Sequence, residues 1–195
     1  MRAIRLGILG SGSGSNFQAL HDAIVAGTLE AEIALVMSDN SSAALLHRAR
    51  ESGIKHAVID CRGFSTKFPL EAQHEVAQAL REAGVDLVCL AGFMRLIKAP
   101  LLDAFPNKII NIHPSLLPAF PGLEAWKQAL DEKAPETGCT VHFVDSGMDT
   151  GTPILQAKVP VLENDSYTSL HARIQEQEHL IYPQAVCTLA RKLLA

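Results

Sequence analysis

Ala3-Ile4-Arg5-Leu6-Gly7-Ile8-Leu9-Gly10-Ser11-Gly12-Ser13-Gly14-Ser15-Asn16-Phe17-Gln18-Ala19-Leu20 is the stretch whose reading decides the fold. Residues 3–9 are apolar over the length of one strand, and residues 16–26 carry Phe17, Leu20 and Ile24 at helical spacing. Between them Gly10, Gly12 and Gly14 alternate with serines, so the chain can turn tightly and its backbone can approach a ligand closely. A strand that passes through a glycine turn into a helix is the opening unit of a wound α/β sheet.

The same alternation repeats outward from this unit. Residues 32–38 read as a strand, 43–52 as a helix ended by Gly53, and 55–60 as a strand. Residues 71–83 form an amphipathic helix closed by Gly84, and 85–91, apolar but for Asp86, predict a strand buried on both faces. Residues 108–112 are another strand. Right-handed crossovers between such elements imply a Rossmann-like, mostly parallel, doubly wound sheet. Residues 138–144 and 153–159 are separated by a polar loop and not by a helix, so they are expected to pair antiparallel at the sheet edge. Residues 165–194 predict a long C-terminal helix bent at Pro183. No repeat or linker interrupts the 195 residues, which read as one α/β domain, 1–195.

Composition narrows the function. A membrane span needs about 20 apolar residues, and the run at 85–94 is broken by Asp86 and Gly92, so no membrane partner is expected. Arg2 and Ala3 lead straight into the first strand with no signal-peptide pattern, which predicts a cytoplasmic protein. A formal charge of −4 with scattered basic residues lacks the basic stripe that nucleic acid requires. Cys61, Cys89, Cys139 and Cys187 are far apart and show no zinc-ligand spacing, so they read as buried free thiols.

Three segments carry candidate chemistry. The first is the glycine-serine loop. A helix N-terminus offers N–H groups and the positive end of a dipole, which makes a phosphate cradle. The spacing departs from G-x-G-x-x-G, and beyond Asp39 no acidic ribose anchor follows, so a tight turn capped by Ser15 or Asn16 remains the alternative. The second is Asn111-Ile112-His113-Pro114-Ser115-Leu116-Leu117-Pro118, at the carboxyl end of a buried strand. At i, i+2 spacing both polar side chains fall on one strand face. An amide donor beside an imidazole suits the stabilisation of charge developing on a carbonyl oxygen. A hydrogen-bonded core histidine beside a turn asparagine is the plainer alternative. The third is Gly138-Cys139-Thr140-Val141-His142-Phe143-Val144-Asp145-Ser146-Gly147-Met148-Asp149-Thr150-Gly151, whose loop bears two carboxylates. Either Asp145 or Asp149 can orient His113 and relay a proton, and spacing does not choose between them; taken singly, each reads more simply as a loop aspartate that caps or turns the chain. There is no G-x-S-x-G elbow and the eight histidines form no H-x-x-x-H pair, so no metal is expected and a substrate nucleophile attacks directly.

Together these segments resemble the folate-dependent formyltransferase family. The resemblance rests on Gly14-Ser15-Asn16, Leu90-Ala91-Gly92-Phe93-Met94-Arg95, Asn111 through Pro118, Gly138 through Gly151, and Gln175-Glu176-Gln177-Glu178-His179-Leu180-Ile181-Tyr182-Pro183. It implies that Asn111, His113 and Asp149 form the catalytic set, the D-x-G element selecting Asp149. It implies further that 10-formyltetrahydrofolate donates its formyl group to the amine of glycinamide ribonucleotide in purine biosynthesis, both small-molecule partners, with the protein a monomer or homodimer. By the same carry-over Gly14, Ser15 and Asn16 hold the substrate phosphate and Glu178 approaches the amine. Met94, Arg95, Leu96, Phe143, Val144, Asp145, Ser146, Gly147 and Met148 line the pteridine pocket. Residues 1–107 become the phosphate-binding half, and 108–195 the catalytic and folate-binding half. The family often sets a basic residue before the third helix, where an ungapped reading puts Pro69 here; Lys67 is its neighbour and stays outside the set. Sister enzymes that formylate methionyl-tRNA or hydrolyse the folate share the three residues, and their extra domains are not expected within this length. A Rossmann-type regulatory module is the reading from another class, and it leaves the three residues without a task.

Overall fold

The computed structural model describes residues 2–194, so Met1 and Ala195, the ends of the expected unit, lie outside the described residues. Seven strands form one sheet in the order β3-β2-β1-β4-β5-β6-β7. The strands β1 (Ile4–Leu9), β2 (Ala31–Ser38), β3 (His56–Val58), β4 (Leu87–Leu90) and β5 (Ile109–His113) run parallel. β6 (Glu136–Phe143) pairs antiparallel with β5, and β7 (Pro153–Pro160) antiparallel with β6. This is the doubly wound sheet with an antiparallel edge that the periodicity implies.

Alternation within the strands decides the two cores. Leu6 and Ile8 of β1, Leu87 and Cys89 of β4, and Ile110 and Ile112 of β5 share one face. Against it pack α1 (Ser15–Val25), α2 (Ala44–Glu51) and α6 (Tyr167–Leu193), through Phe17, Leu45, Ile174 and Val186 among others. Leu9, Val88, Leu90 and Ile109 face the opposite way, onto α3 (Leu70–Glu82) and α4 (Ala99–Ala104), where Val76, Leu80 and Leu101 meet them. Each such fully buried side chain contributes about 1.5–3 kcal/mol of transfer free energy. A sheet apolar on both faces can hold its polar functional groups only at strand ends.

Two short helices, α4 and α5 (Ala125–Asp131), were not foreseen: at six and seven residues they span too few turns to show a period. α6 starts at Tyr167 behind a Ser166–Ser169 capping box and runs on through Pro183. Cys61, Cys89 and Cys139 are buried free thiols while Cys187 is half-buried; burial pushes the thiols of Cys89 and Cys139 up to about 12. Among the described residues no helix is long and apolar enough to cross a membrane.

The strand order reverses at β1, which has β2 on one side and β4 on the other. Ligands bind in such sheets in the crevice beyond the carboxyl ends at this switch point. Here the crevice is flanked by the glycine loop and by the segment after β4. The two are tied together by Ser11 N donating to Gly92 O at 3.0 Å and Met94 N donating to Ser11 Oγ at 3.0 Å.

Candidate active site

A cavity of about 800 Å³ opens at the carboxyl ends of β1, β4 and β5. At one end lie Gly14, Ser15 and Asn16, where β1 turns into α1. Gly14 is the residue before the helix, with φ 74°, and no side chain caps the turn. The alternative of a Ser15 or Asn16 cap is therefore overturned, because the left-handed glycine makes the turn and the side chains point elsewhere. A Cβ at Gly14 would lie 2.9 Å from Leu45 Cα, so α2 also requires glycine there. Lys67 lines the cavity too, with its Nζ 5.1 Å from the Phe64 ring centroid, while Pro69 is the N-cap of α3.

Asn111 and His113 leave β5 on one face, as their spacing requires, and both line the cavity. The antiparallel register sets His142 of β6 directly opposite Asn111. His142 Nδ1 lies 2.8 Å from the Phe143 carbonyl, which can only accept, so Nδ1 bears the hydrogen and Nε2 is an acceptor. That acceptor meets Asn111 Nδ2 at 3.3 Å and fixes which way the amide points. Burial is the main influence on the His142 imidazole and holds it below its usual pKa, outweighing the Phe143 carbonyl and Asp149, so the ring stays neutral.

His113 is held by the same logic. Its Nε2 lies 2.9 Å from the Phe120 carbonyl and donates to it, which leaves Nδ1 facing Asp149 Oδ2 at 3.4 Å. A neutral ring of this tautomer turns a lone pair on the carboxylate; the imidazolium turns an N–H on it. Asp149 Oδ1 also lies 3.7 Å from His142 Nε2, and Oδ2 accepts from Gly122 N at 2.8 Å. Asp149 sits at φ 55°, the left-handed region, a conformation that costs a non-glycine residue about 1–3 kcal/mol and gathers at functional sites. The two loop aspartates are thereby separated. Asp145 Oδ1 accepts from Gly147 N at 3.0 Å and Thr150 Oγ1 at 2.7 Å, shaping its own loop, whereas Asp149 lies against both histidines.

Glu178 of α6 lines the cavity at 5% exposure, and its Oε2 accepts from Asn16 Nδ2 at 2.9 Å. Burial pushes its carboxyl up to about 7, opposed by the Asn16 hydrogen bond. At the other end Met94, Leu96 and Met148 are exposed apolar side chains beside Arg95, Val144, Asp145 and Gly147. The Arg95 guanidinium is tied down on one edge: Nε pairs with Asp39 Oδ2 at 2.5 Å, and Nη1 donates to the carbonyls of Phe64 and Lys67. Asp39 is held in this ion pair and does not line the cavity. Phe143 and Ser146 are not on the cavity wall: the Phe143 ring packs on the core under α6, and Ser146 faces outward. Sequence reasoning missed His142, Leu123, Gln175 and the stacked pair Trp126–His171, whose ring centroids are 3.8 Å apart. A helical spacing of Gln175 and His171 from Glu178 was the one signal available for any of them.

A sheet switch point with a glycine cradle, a strand-end Asn–His pair and a carboxylate behind it defines a class. The formyl transferase family profile matches residues 4–186, and the chain belongs to that family. Among solved structures it is similar to glycinamide ribonucleotide transformylase 1 from Symbiobacterium toebii, at 49% identity and a TM-score of 0.93, covering 97% of this chain and 89% of that one. Among curated relatives it is 40% identical to phosphoribosylglycinamide formyltransferase from Haemophilus influenzae, over 93% of this chain and 85% of that protein. It is also 45% identical to the trifunctional purine biosynthetic protein adenosine-3 of Drosophila melanogaster, over 96% of this chain but 14% of that protein's length.

Proposed function

We propose that the protein transfers the formyl group of 10-formyltetrahydrofolate to the amine of glycinamide ribonucleotide, a step of purine biosynthesis. One observation carries the reading: a single cavity joins an uncapped helix N-terminus at one end to an apolar rim at the other, with Asn111, His113 and Asp149 between them. The phosphate fits the first end, where the N–H groups of Ser15 and Asn16 belong to the opening turn of α1. A flat pteridine fits the second, against the exposed apolar side chains of Met94, Leu96 and Met148. Main-chain groups of residues 94–96 are its polar partners, since the Arg95 side chain is committed to Asp39.

The substrate amine attacks the formyl carbon directly, with no covalent enzyme intermediate. Asn111 Nδ2 donates to the tetrahedral oxyanion and the positive charge of the His113 imidazolium stabilises it through space; one such donor contributes a factor of about 10²–10³. Asp149 holds the imidazolium and relays the proton that leaves the attacking nitrogen to the departing folate nitrogen. Phosphate at one end and pterin at the other bring the two reacting atoms together and make the step effectively unimolecular. On this reading residues 1–107 form the phosphate-binding half of one unit and 108–195 its catalytic half. Its place of work is the cytoplasm, as a monomer or homodimer.

Purified protein given both substrates is expected to release tetrahydrofolate in step with formylated ribonucleotide. Release without the ribonucleotide identifies a hydrolase of the folate, and tight dinucleotide binding without release identifies a regulatory module. Asp149→Asn is expected to lower kcat by about 10³-fold or more, and Asp145→Asn by less than about fivefold. Equal and mild losses at both positions sink the assignment of Asp149.

A further inference from the structure

The backbone of the glycine loop is held by one face of α2. Leu45, in the first turn of that helix, donates its N–H to Gly12 O at 3.1 Å. One turn further on, Arg48 donates Nε to Ser13 O at 3.0 Å and Nη1 to Gln18 Oε1 at 3.1 Å, which ties both the loop and α1 to α2. Leu45 and Arg48 stand three residues apart, on the same side of the helix. Arg48 is half-buried and does not reach the wall of the reaction cavity. It lines instead a smaller hollow of about 420 Å³, with Gln18 and Asp22 of α1 and His179 of α6.

The two pinned carbonyls decide where the neighbouring N–H groups face. Within a trans peptide the C=O and N–H point in opposite directions, and the Gly12–Ser13 and Ser13–Gly14 peptides are both trans. With Gly12 O and Ser13 O turned onto α2, the N–H groups of Ser13 and Gly14 point away from it. Gly12, Ser13 and Gly14 all line the reaction cavity, and among the described residues neither N–H has a hydrogen-bond partner. Successive main-chain N–H groups in a turn of this kind make a concavity for an anion. A glycine-rich loop does not keep that orientation unaided, because glycine accepts either sign of φ and a peptide beside it turns over at little cost. Turned over, the Ser13–Gly14 peptide would present its carbonyl oxygen to the anion.

On the reading that this cavity holds a phosphorylated amine, we propose that Arg48 is a positioning residue for the phosphate. By holding the Ser13 carbonyl on α2 it keeps the Gly14 N–H aimed at the phosphate, and its own guanidinium stays outside the cavity. Leu45 does the same for the Ser13 N–H through its main chain, which no side-chain change removes, so Arg48 is the replaceable half of the device. Its effect falls on substrates that carry a phosphate, and on their binding more than on the chemical step.

The test compares R48M, which keeps the aliphatic stem and removes the donors, with the unsubstituted enzyme on glycinamide ribonucleotide and on glycinamide riboside, the same amine without its phosphate. We expect KM for the ribonucleotide to rise about 10–100-fold, the range for losing a hydrogen bond from a charged donor. kcat, and kcat/KM for the riboside, are expected to stay within about threefold. Equal losses on the two substrates mean that Arg48 only keeps the fold together, and they overturn the assignment, as does no loss on either. A second measurement needs no variant. Ribose 5-phosphate titrated into the isotope-labelled unsubstituted protein is expected to move the amide proton resonances of Ser13 and Gly14 downfield. Binding that leaves them in place, or no binding, overturns the assignment. Formyl transfer is read separately: if it fails while these two amides respond to ribose 5-phosphate and R48M abolishes the response, the proposed reaction is wrong and the role of Arg48 stands.

Discussion

His142 works on the site through another residue. Its Nδ1–H is committed to the Phe143 carbonyl, so its Nε2 can only accept, and the Asn111 amide must turn its nitrogen toward it. Phenylalanine at this position keeps the ring volume and removes the acceptor, which leaves the amide free to flip and, in the proposed reaction, to present its oxygen to the oxyanion. His142→Phe is expected to lower kcat about 10–100-fold with KM changed less than about threefold, because the loss falls on the transition state. Steady-state kinetics check this, and a matching rise in KM with kcat intact counts against it. Asp149 shows how far residue identity alone can reach: two aspartates share one loop, and only their backbone conformations and partners tell them apart.

At the scale of elements, the loop between β6 and β7 delivers Asp149 to the end of β5, and Gly151 makes its return possible. A Cβ there would lie 1.7 Å from the Phe143 carbonyl oxygen, a backbone atom that cannot move aside without breaking the Phe143 N to Thr152 O bond of 3.0 Å. The D-x-G pattern thus has a steric reason that is local to the strand pair. Gly151→Ala is expected to destabilise the fold by about 1–3 kcal/mol through overpacking and to lower kcat as Asp149 is displaced. Urea unfolding and kinetics measured on the same preparation check both, and unchanged kcat with lowered stability would separate the glycine from the site. On the opposite side, Thr140 of β6 accepts from Leu117 N at 3.1 Å and from Gln156 Nε2 at 2.9 Å, and donates to Ser115 O. These bonds hold the segment that carries Phe120, and with it the orientation of His113.

The whole molecule carries an electrostatic cost at this site. Glu178 titrates near 7 when folded and near 4.5 when exposed, so its carboxyl is protonated in both states below about 4.5. As pH rises from there to about 7 the unfolded chain ionises first, and stability is lost. At about 1.4 kcal/mol for each pH unit of separation the loss is roughly 3 kcal/mol. Glu178→Gln is expected to be more stable than the unsubstituted protein by up to that amount at pH ~8 and nearly equal to it at pH ~4. Urea midpoints across this range check the sign, and a variant less stable at high pH refutes it. His142, His171 and His179 act in the other direction: burial lowers each, so the unfolded chain takes up their protons first as pH falls through about 6.5 and stability drops on the acid side. The buried Tyr182 hydroxyl, whose pKa burial raises, donates to the Leu90 carbonyl at 2.8 Å and ties α6 to the sheet without a titrating charge in the range where these groups change.

Most of the fold was legible because strand and helix periods are local. The run 85–91, apolar on both faces, has no stable place except inside a parallel sheet, and the glycine loop before α1 has no better use than a turn at a switch point. The Asn111–His113 pair was legible for the same reason, since a period of two puts both on one face. His142, the choice of Asp149 on contact, the commitment of Arg95 to Asp39, and the outward turn of Phe143 and Ser146 from the cavity were not. Each depends on which residues, 30 or more positions apart or across a loop, are brought opposite one another. By itself the sequence determined the elements, their faces and the strand ends where polar groups gather. Only the tertiary structure decided register, burial and partners, because these are set by non-local packing, and burial is what turns Glu178 from an ordinary carboxylate into a group poised near 7.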